Sequence, residues 1–101
     1  MAVSFTTPTY DLKAIKKTFN SVGKLKMTGT SRKGATELGF DDQDVVNAIQ
    51  SISNSDFYKT MPANNPNFKQ HDVYKFHWKS VHIYLKFQDL NGYLVVSFKL
   101  V

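Results

Sequence analysis

Helical periodicity in the first half of this 101-residue chain, and strand periodicity in the second, predict an α+β fold. Helices are expected on one face of an antiparallel sheet. Three observations carry this. Apolar residues recur every three or four positions from Leu12 to Ile52, and from His71 the period drops to two. Asn91-Gly92, the preferred pair for a two-residue type I′ turn, then divides the last two strand-like runs. The length corresponds to a single domain spanning residues 1–101.

The first nine residues lack a pattern and read as frayed. "DLKAIKKTFNSVG" reads as a helix, with Leu12, Ile15, Phe19 and Val22 on one side, lysines on the other and Gly23 as its stop. "KLKMT" alternates like a short strand. "SRKGATELGF" reads as a helix capped by Ser31 and ending near Gly39. In "DDQDVVNAIQSIS" the leading aspartates suit the positive end of a helix dipole, and Val45, Val46, Ile49 and Ile52 form the buried stripe. Ser55 is expected to cap a last turn holding Asp56 to Lys59. Two prolines and three asparagines make "MPANNPNFKQ" a loop. "HDVYKFHW", "VHIYLKFQDL" and "YLVVSFKLV" are three strands.

Turn positions fix which residues share a face. A turn at Asn91-Gly92 pairs Leu90 with Tyr93, Tyr84 with Lys99, Lys86 with Ser97 and Phe87 with Val96. A turn at Lys79-Ser80 pairs Lys75 with Tyr84 and His77 with His82. Tyr74, Phe76, Trp78 and Leu85 then point to the core. His71, Lys75, Tyr84 and Lys99 share the outer face, with Asp72 and Asp89 on the other side or at a turn. A half-buried sheet commonly has a solvated polar face, so this alone does not make a site.

The net charge of +5 and a pI near 9.5 favour a polyanionic partner, or simply solubility. From Lys59 onward six lysines (Lys59, Lys69, Lys75, Lys79, Lys86, Lys99) face two aspartates, and all three histidines lie there. Imidazoles, a phenol and ammonium groups suit a phosphodiester substrate, whereas a hard metal asks for clustered carboxylates. His71, His77 and His82 form only a weak three-histidine zinc pattern. Cysteine is absent, which removes disulfides and thiolate metal sites. There is no phosphate-binding glycine loop. No run approaches a membrane span, and the N-terminus lacks the basic start and apolar core of a signal peptide. A cytoplasmic protein without membrane contact or cofactor is expected.

"SDFYKTM", "DVY", "YLKF" and "LVVSFK", in this order and spacing, resemble the MqsR toxins of bacterial toxin–antitoxin modules. "KK" in the first helix and "ELGFD" extend the resemblance over most of the chain. It implies a RelE-like fold and a metal-independent, sequence-preferring endoribonuclease that cuts mRNA. It also implies a cognate antitoxin, often with a zinc-binding N-terminal domain and a helix-turn-helix domain. The family's implicated residues map to Lys59, Tyr84 and Lys99. Its fourth, a glutamine before Asp-Val-Tyr, is where this chain departs: His71 precedes Asp72, and Gln70 lies one position earlier. Spacing and strand parity favour His71 there, with Gln70 pointing away.

The catalytic candidates are therefore Lys59, His71, Tyr84 and Lys99, with Lys75, His77, His82 and Lys86 as RNA contacts. Lysines stabilise charge on the phosphoryl group, Tyr84 donates a proton or stacks on a base, and His71 suits proton transfer. Two other classes remain open. One is a non-catalytic RNA-binding module using the same face, the other a protein-interaction domain for an acidic partner.

Overall fold

The computed structural model describes residues 8–61, 70–89 and 92–101. In chain order the elements are α1 (Leu12–Thr18), a 3₁₀ turn (Val22–Lys24), α2 (Gly29–Glu37), α3 (Asp42–Ser51) and a second 3₁₀ turn (Asn54–Asp56). Four strands follow: β1 (Phe57–Met61), β2 (His71–Trp78), β3 (Val81–Asp89) and β4 (Tyr93–Leu100). They form one antiparallel meander in the order β1-β2-β3-β4. The α+β class holds. One apolar cluster joins Leu12, Ile15 and Phe19 of the α1 segment, and Val45 and Ile49 of α3, to Tyr74, Phe76, Leu85, Phe87 and Phe98 of the sheet. The other side of the sheet carries no helix from this cluster and is the outer face.

The helices differ from expectation at their ends. α1 stops at Thr18, because Gln50 of α3 donates to the carbonyls of Lys16 (2.7 Å) and Phe19 (3.1 Å) and caps it early. Gly23 lies in the 3₁₀ turn that follows. α2 is capped by Thr28, whose Oγ1 accepts from the Ser31 amide (3.1 Å). Ser31 is instead buried and donates to the Val95 carbonyl (3.0 Å). Gly39, at φ +82°, ends α2, with Gly39 N–H on Thr36 O and Phe40 N–H on Ala35 O. α3 begins with a reciprocal capping box between Asp41 and Asp44.

"KLKMT" forms a single parallel bridge, Met27 to Val95, rather than a strand. Lys26 O and Thr28 N bond to the Val95 backbone. At Gly34, α2 lies directly on β4, and a Cβ there would collide with the Phe98 carbonyl oxygen. The frayed reading fails at Thr9, whose amide donates to Asp72 (3.0 Å). Residues 1–7, and most of the loop over 61–70, lie outside the described residues.

The sheet registers position the site. Lys79 and Ser80 both have positive φ (51° and 64°), and β2 pairs with β3 as expected, Lys75 with Tyr84 and His77 with His82. In the last hairpin Tyr84 pairs with Lys99 and Lys86 with Ser97, as expected. Nearer the turn Val95, not Val96, opposes Phe87, and Asp89 opposes Tyr93. Val96 is a bulge where the Lys26–Thr28 segment docks on Val95, so three residues close this hairpin, not two. Leu90 and Asn91 lie outside the described residues.

Candidate nucleic-acid cleavage site on the outer face

Lys59 lies on an edge strand, not in a helical turn. The 3₁₀ turn before it is capped by Ser53 rather than Ser55, and ends at Asp56. β1 then pairs with β2: Lys59 with Val73, Thr60 with Asp72, Met61 with His71. Phe57 pairs with Tyr74, so Tyr58 is an extra residue, a bulge. Alternation sends Thr60 inward and Lys59 and Met61 outward.

Rows of outer-face residues follow from the registers. One row runs Lys59, Val73, Lys86, Ser97. The next runs Lys75, Tyr84, Lys99, and a third holds Met61, His71 and Gln88. Tyr84 is central. The ammonium groups of Lys99, Lys86 and Lys75 lie 5.3, 5.5 and 5.9 Å from its ring centroid. Its hydroxyl lies 3.8 Å from the Met61 sulfur, so the phenol leans over the first row toward the third, where Met61 is the partner of His71.

Electrostatics follow from this crowding. Partial burial, then the charges of Lys99 and Lys59, holds the Lys86 ammonium below its ordinary pKa. Burial, then Lys86, likewise lowers His71, favouring a neutral imidazole. Burial, then Tyr58, raises the Tyr84 hydroxyl, which stays protonated and able to donate. Two ion pairs occur among the described residues, Arg32–Asp42 and Lys79–Asp44, and neither involves a lysine of this face.

Asp72 is fully buried on the core side. It accepts from Thr60 Oγ1 (2.6 Å) and from the Thr9 (3.0 Å) and Tyr10 (2.8 Å) amides. Gln70 is held on its own terms: Oε1 accepts from Thr9 Oγ1 (3.0 Å) and its carbonyl from the Tyr10 hydroxyl (2.6 Å). His71 pairs across the ladder with Met61 and Gln88 on the outer face. The structure thus brings Lys59, Lys86, Lys99, Tyr84 and Lys75 together, with His71 one row away. His77 and His82 stack on each other at the far hairpin end, 4.2 Å between centroids. They do not gather with His71. Six residues of strand, about 20 Å, separate it from His77, and among the described residues no three potential metal ligands cluster.

Sequence reasoning missed Tyr58. It is 48% exposed, with the Lys75 ammonium 3.8 Å and the Lys59 ammonium 5.1 Å from its ring centroid. The available signal was an aromatic beside a lysine in the strand-prone run Phe-Tyr-Lys-Thr-Met.

A family model described as "Motility quorum-sensing regulator, toxin of MqsA" matches residues 7–100. The chain belongs to the MqsR toxin family. The "mRNA interferase toxin MqsR" of Escherichia coli (strain K12) is 36% identical over 93 residues, covering 92% of this chain and 94% of that protein. The four stretches that carry the resemblance to MqsR toxins lie on β1, β2, β3 and β4 in turn. The structure sets His71 on the outer face and gives Gln70 to the N-terminal segment. Among the described residues no helix is long and apolar enough to cross a membrane.

Proposed function

We propose that this chain is the toxin of a toxin–antitoxin module, an endoribonuclease that cleaves mRNA with sequence preference and without a metal ion. The observation that carries the reading is the crowding of Lys59, Lys86 and Lys99 beside Tyr84 on the sheet face opposite the helices, in a chain of the MqsR family. Like charges held close favour an anion between them.

The ribose 2′-OH attacks the adjacent phosphorus. A 2′-O–P bond forms and the P–O5′ bond breaks, leaving a 2′,3′-cyclic phosphate and a 5′-hydroxyl. His71, favoured as the neutral imidazole, takes the 2′-OH proton. Tyr84, protonated and leaning toward Met61 beside His71, supplies the proton to the leaving oxygen. Lys59 and Lys99 stabilise charge on the phosphorane. Lys75, Lys86, His77 and His82 contact flanking RNA. The partner is an antitoxin of the MqsA kind, with the zinc-binding and helix-turn-helix domains that the resemblance implies. The proposed compartment is the cytoplasm, where mRNA is translated.

Incubating the purified protein with a long RNA in EDTA, then mapping the ends, tests this. Cleavage leaving cyclic phosphate is the expected result. Activity lost in EDTA and restored by Mg²⁺ refutes the mechanism. RNA retained without cleavage marks a binding module.

A further inference from the structure

The stacked pair His77–His82 stands apart from the cluster around Tyr84, and the reaction above gives it no chemical step. Its rings lie 4.2 Å apart at 10°. The two residues are cross-strand partners beside the tight Lys79-Ser80 turn. The stack axis therefore runs across the strands, and the π-face of His77 turned away from His82 looks toward the β1 side. β1 pairs with β2 only from His71 to Tyr74. Among the described residues no strand pairs with β2 beside His77, and both imidazoles are exposed. Among the described residues the stack ends in an exposed aromatic face. It is also close to the chemistry: His77 is two residues beyond Lys75 and His82 two before Tyr84, a separation of about 7 Å along the same face.

Resting on the ribonuclease reading, we propose that this exposed face holds the base of a nucleotide flanking the cleaved bond. The base stacks on His77, His82 braces the ring from behind, and Lys75 takes the intervening phosphate. Every base has a π-face, so such a contact tolerates sequence while fixing the path of the strand. Single-stranded RNA is commonly held by bases stacked on aromatic rings, histidine included. A lone exposed imidazole would sample several rotamers. Packed on a second ring, it presents a flat surface already formed, which lowers the ordering cost of binding.

Fluorescence anisotropy with two probes tests the assignment. One is a random-sequence 2′-O-methyl RNA hexamer, which lacks the attacking hydroxyl and stays intact. The other is inorganic polyphosphate, which carries charge and no bases. His77→Ala is expected to weaken hexamer binding roughly tenfold, within the range of one base–aromatic stack. Polyphosphate binding should stay within about twofold. His77→Phe keeps a stacking face and should recover most of the hexamer affinity, while His82→Ala gives a smaller loss than His77→Ala. Equal losses for both probes, an unchanged hexamer in His77→Ala, or His77→Phe as weak as His77→Ala overturns the stacked base. Cleavage is measured on the same wild-type preparation. RNA cleavage with binding indifferent to His77 removes this proposal alone. The predicted binding pattern in a protein that never cleaves keeps the stacked base and removes the ribonuclease.

Discussion

On the core side of the sheet, Asp72 is fully buried and receives three hydrogen bonds. On the outer side, above its neighbour Val73, Lys59 and Lys86 crowd with Lys99, and neither ion pair among the described residues reaches them. A buried charge must be satisfied internally or the fold loses several kcal/mol, so Asp72 belongs to the architecture. A like-charge cluster at a half-exposed surface makes the fold slightly less stable than a mixed surface would. The fold itself does not need such a cluster, and under the proposed function it serves an anionic substrate. Polar groups on the two sides of one sheet are thus separable by what mutation should do to stability and to rate.

The largest expected effect is on rate. Lys59→Ala and Lys99→Ala should each slow cleavage by roughly 10–1000-fold, with a smaller loss of RNA affinity because one phosphate contact among several is removed. Neither should lower the melting temperature, since each relieves repulsion. A wild-type rate in Lys59→Ala would erase the contrast between the faces. Asp72→Ala should do the reverse. It leaves three donors without their acceptor and should cost about 3 kcal/mol or more in urea unfolding, which for a domain of this size lowers the melting temperature by more than about 10 °C. An unchanged midpoint would show that this carboxylate is not structural.

His71 sharpens the comparison through pH. Burial and Lys86 both disfavour its protonated form, so its pKa lies below the ordinary imidazole value. A general base must be neutral. Single-turnover kcat/KM should therefore rise with pH through that lowered pKa and then level. Loss of the Tyr84 proton would add a basic limb only above the ordinary tyrosine range, because burial raises that hydroxyl. His71→Gln should retain cleavage but lose the acid limb. His71→Ala should be slower still, roughly 100-fold below wild type at pH 7. An identical limb in both variants assigns the proton to another group. The smallest effect belongs to Lys79, whose exposed contact with Asp44 lies 3.2 Å away beside the hairpin turn. Lys79→Asn, which tolerates the left-handed backbone there, should shift the melting temperature by no more than about 3 °C and leave cleavage unchanged.

The outer face was legible because local chemistry sets it. The Lys79-Ser80 turn lies within the two strands it joins, so Lys75 and Tyr84 fell into one row and parity placed His71 on their side. Lys99 joined that row because the Val96 bulge offsets the shifted register near the last turn. What escaped was tertiary. The Val96 bulge arises where a segment some seventy residues earlier in the chain docks on Val95. β1 is five residues long with a bulge at Tyr58, which blurs its alternation, so Lys59 read as the end of a helix. α1 ended early because of a glutamine on another helix. The departure at His71 was visible as a residue type, but the hold on Gln70 depends on Thr9 and Tyr10 arriving from a distant part of the chain.

Gly34 has a bearing on how the molecule behaves in a crowded solution. An exposed, flat strand edge is a template on which a second copy can grow, and a four-stranded sheet has two of them. At one edge, β4 is covered by the Lys26–Thr28 segment and by α2, whose approach to Phe98 only a glycine permits. At the other, β1 is short and broken by the Tyr58 bulge. Neither border invites fibril-like stacking of chains, and a larger residue at position 34 would lift α2 and open one of them to self-association.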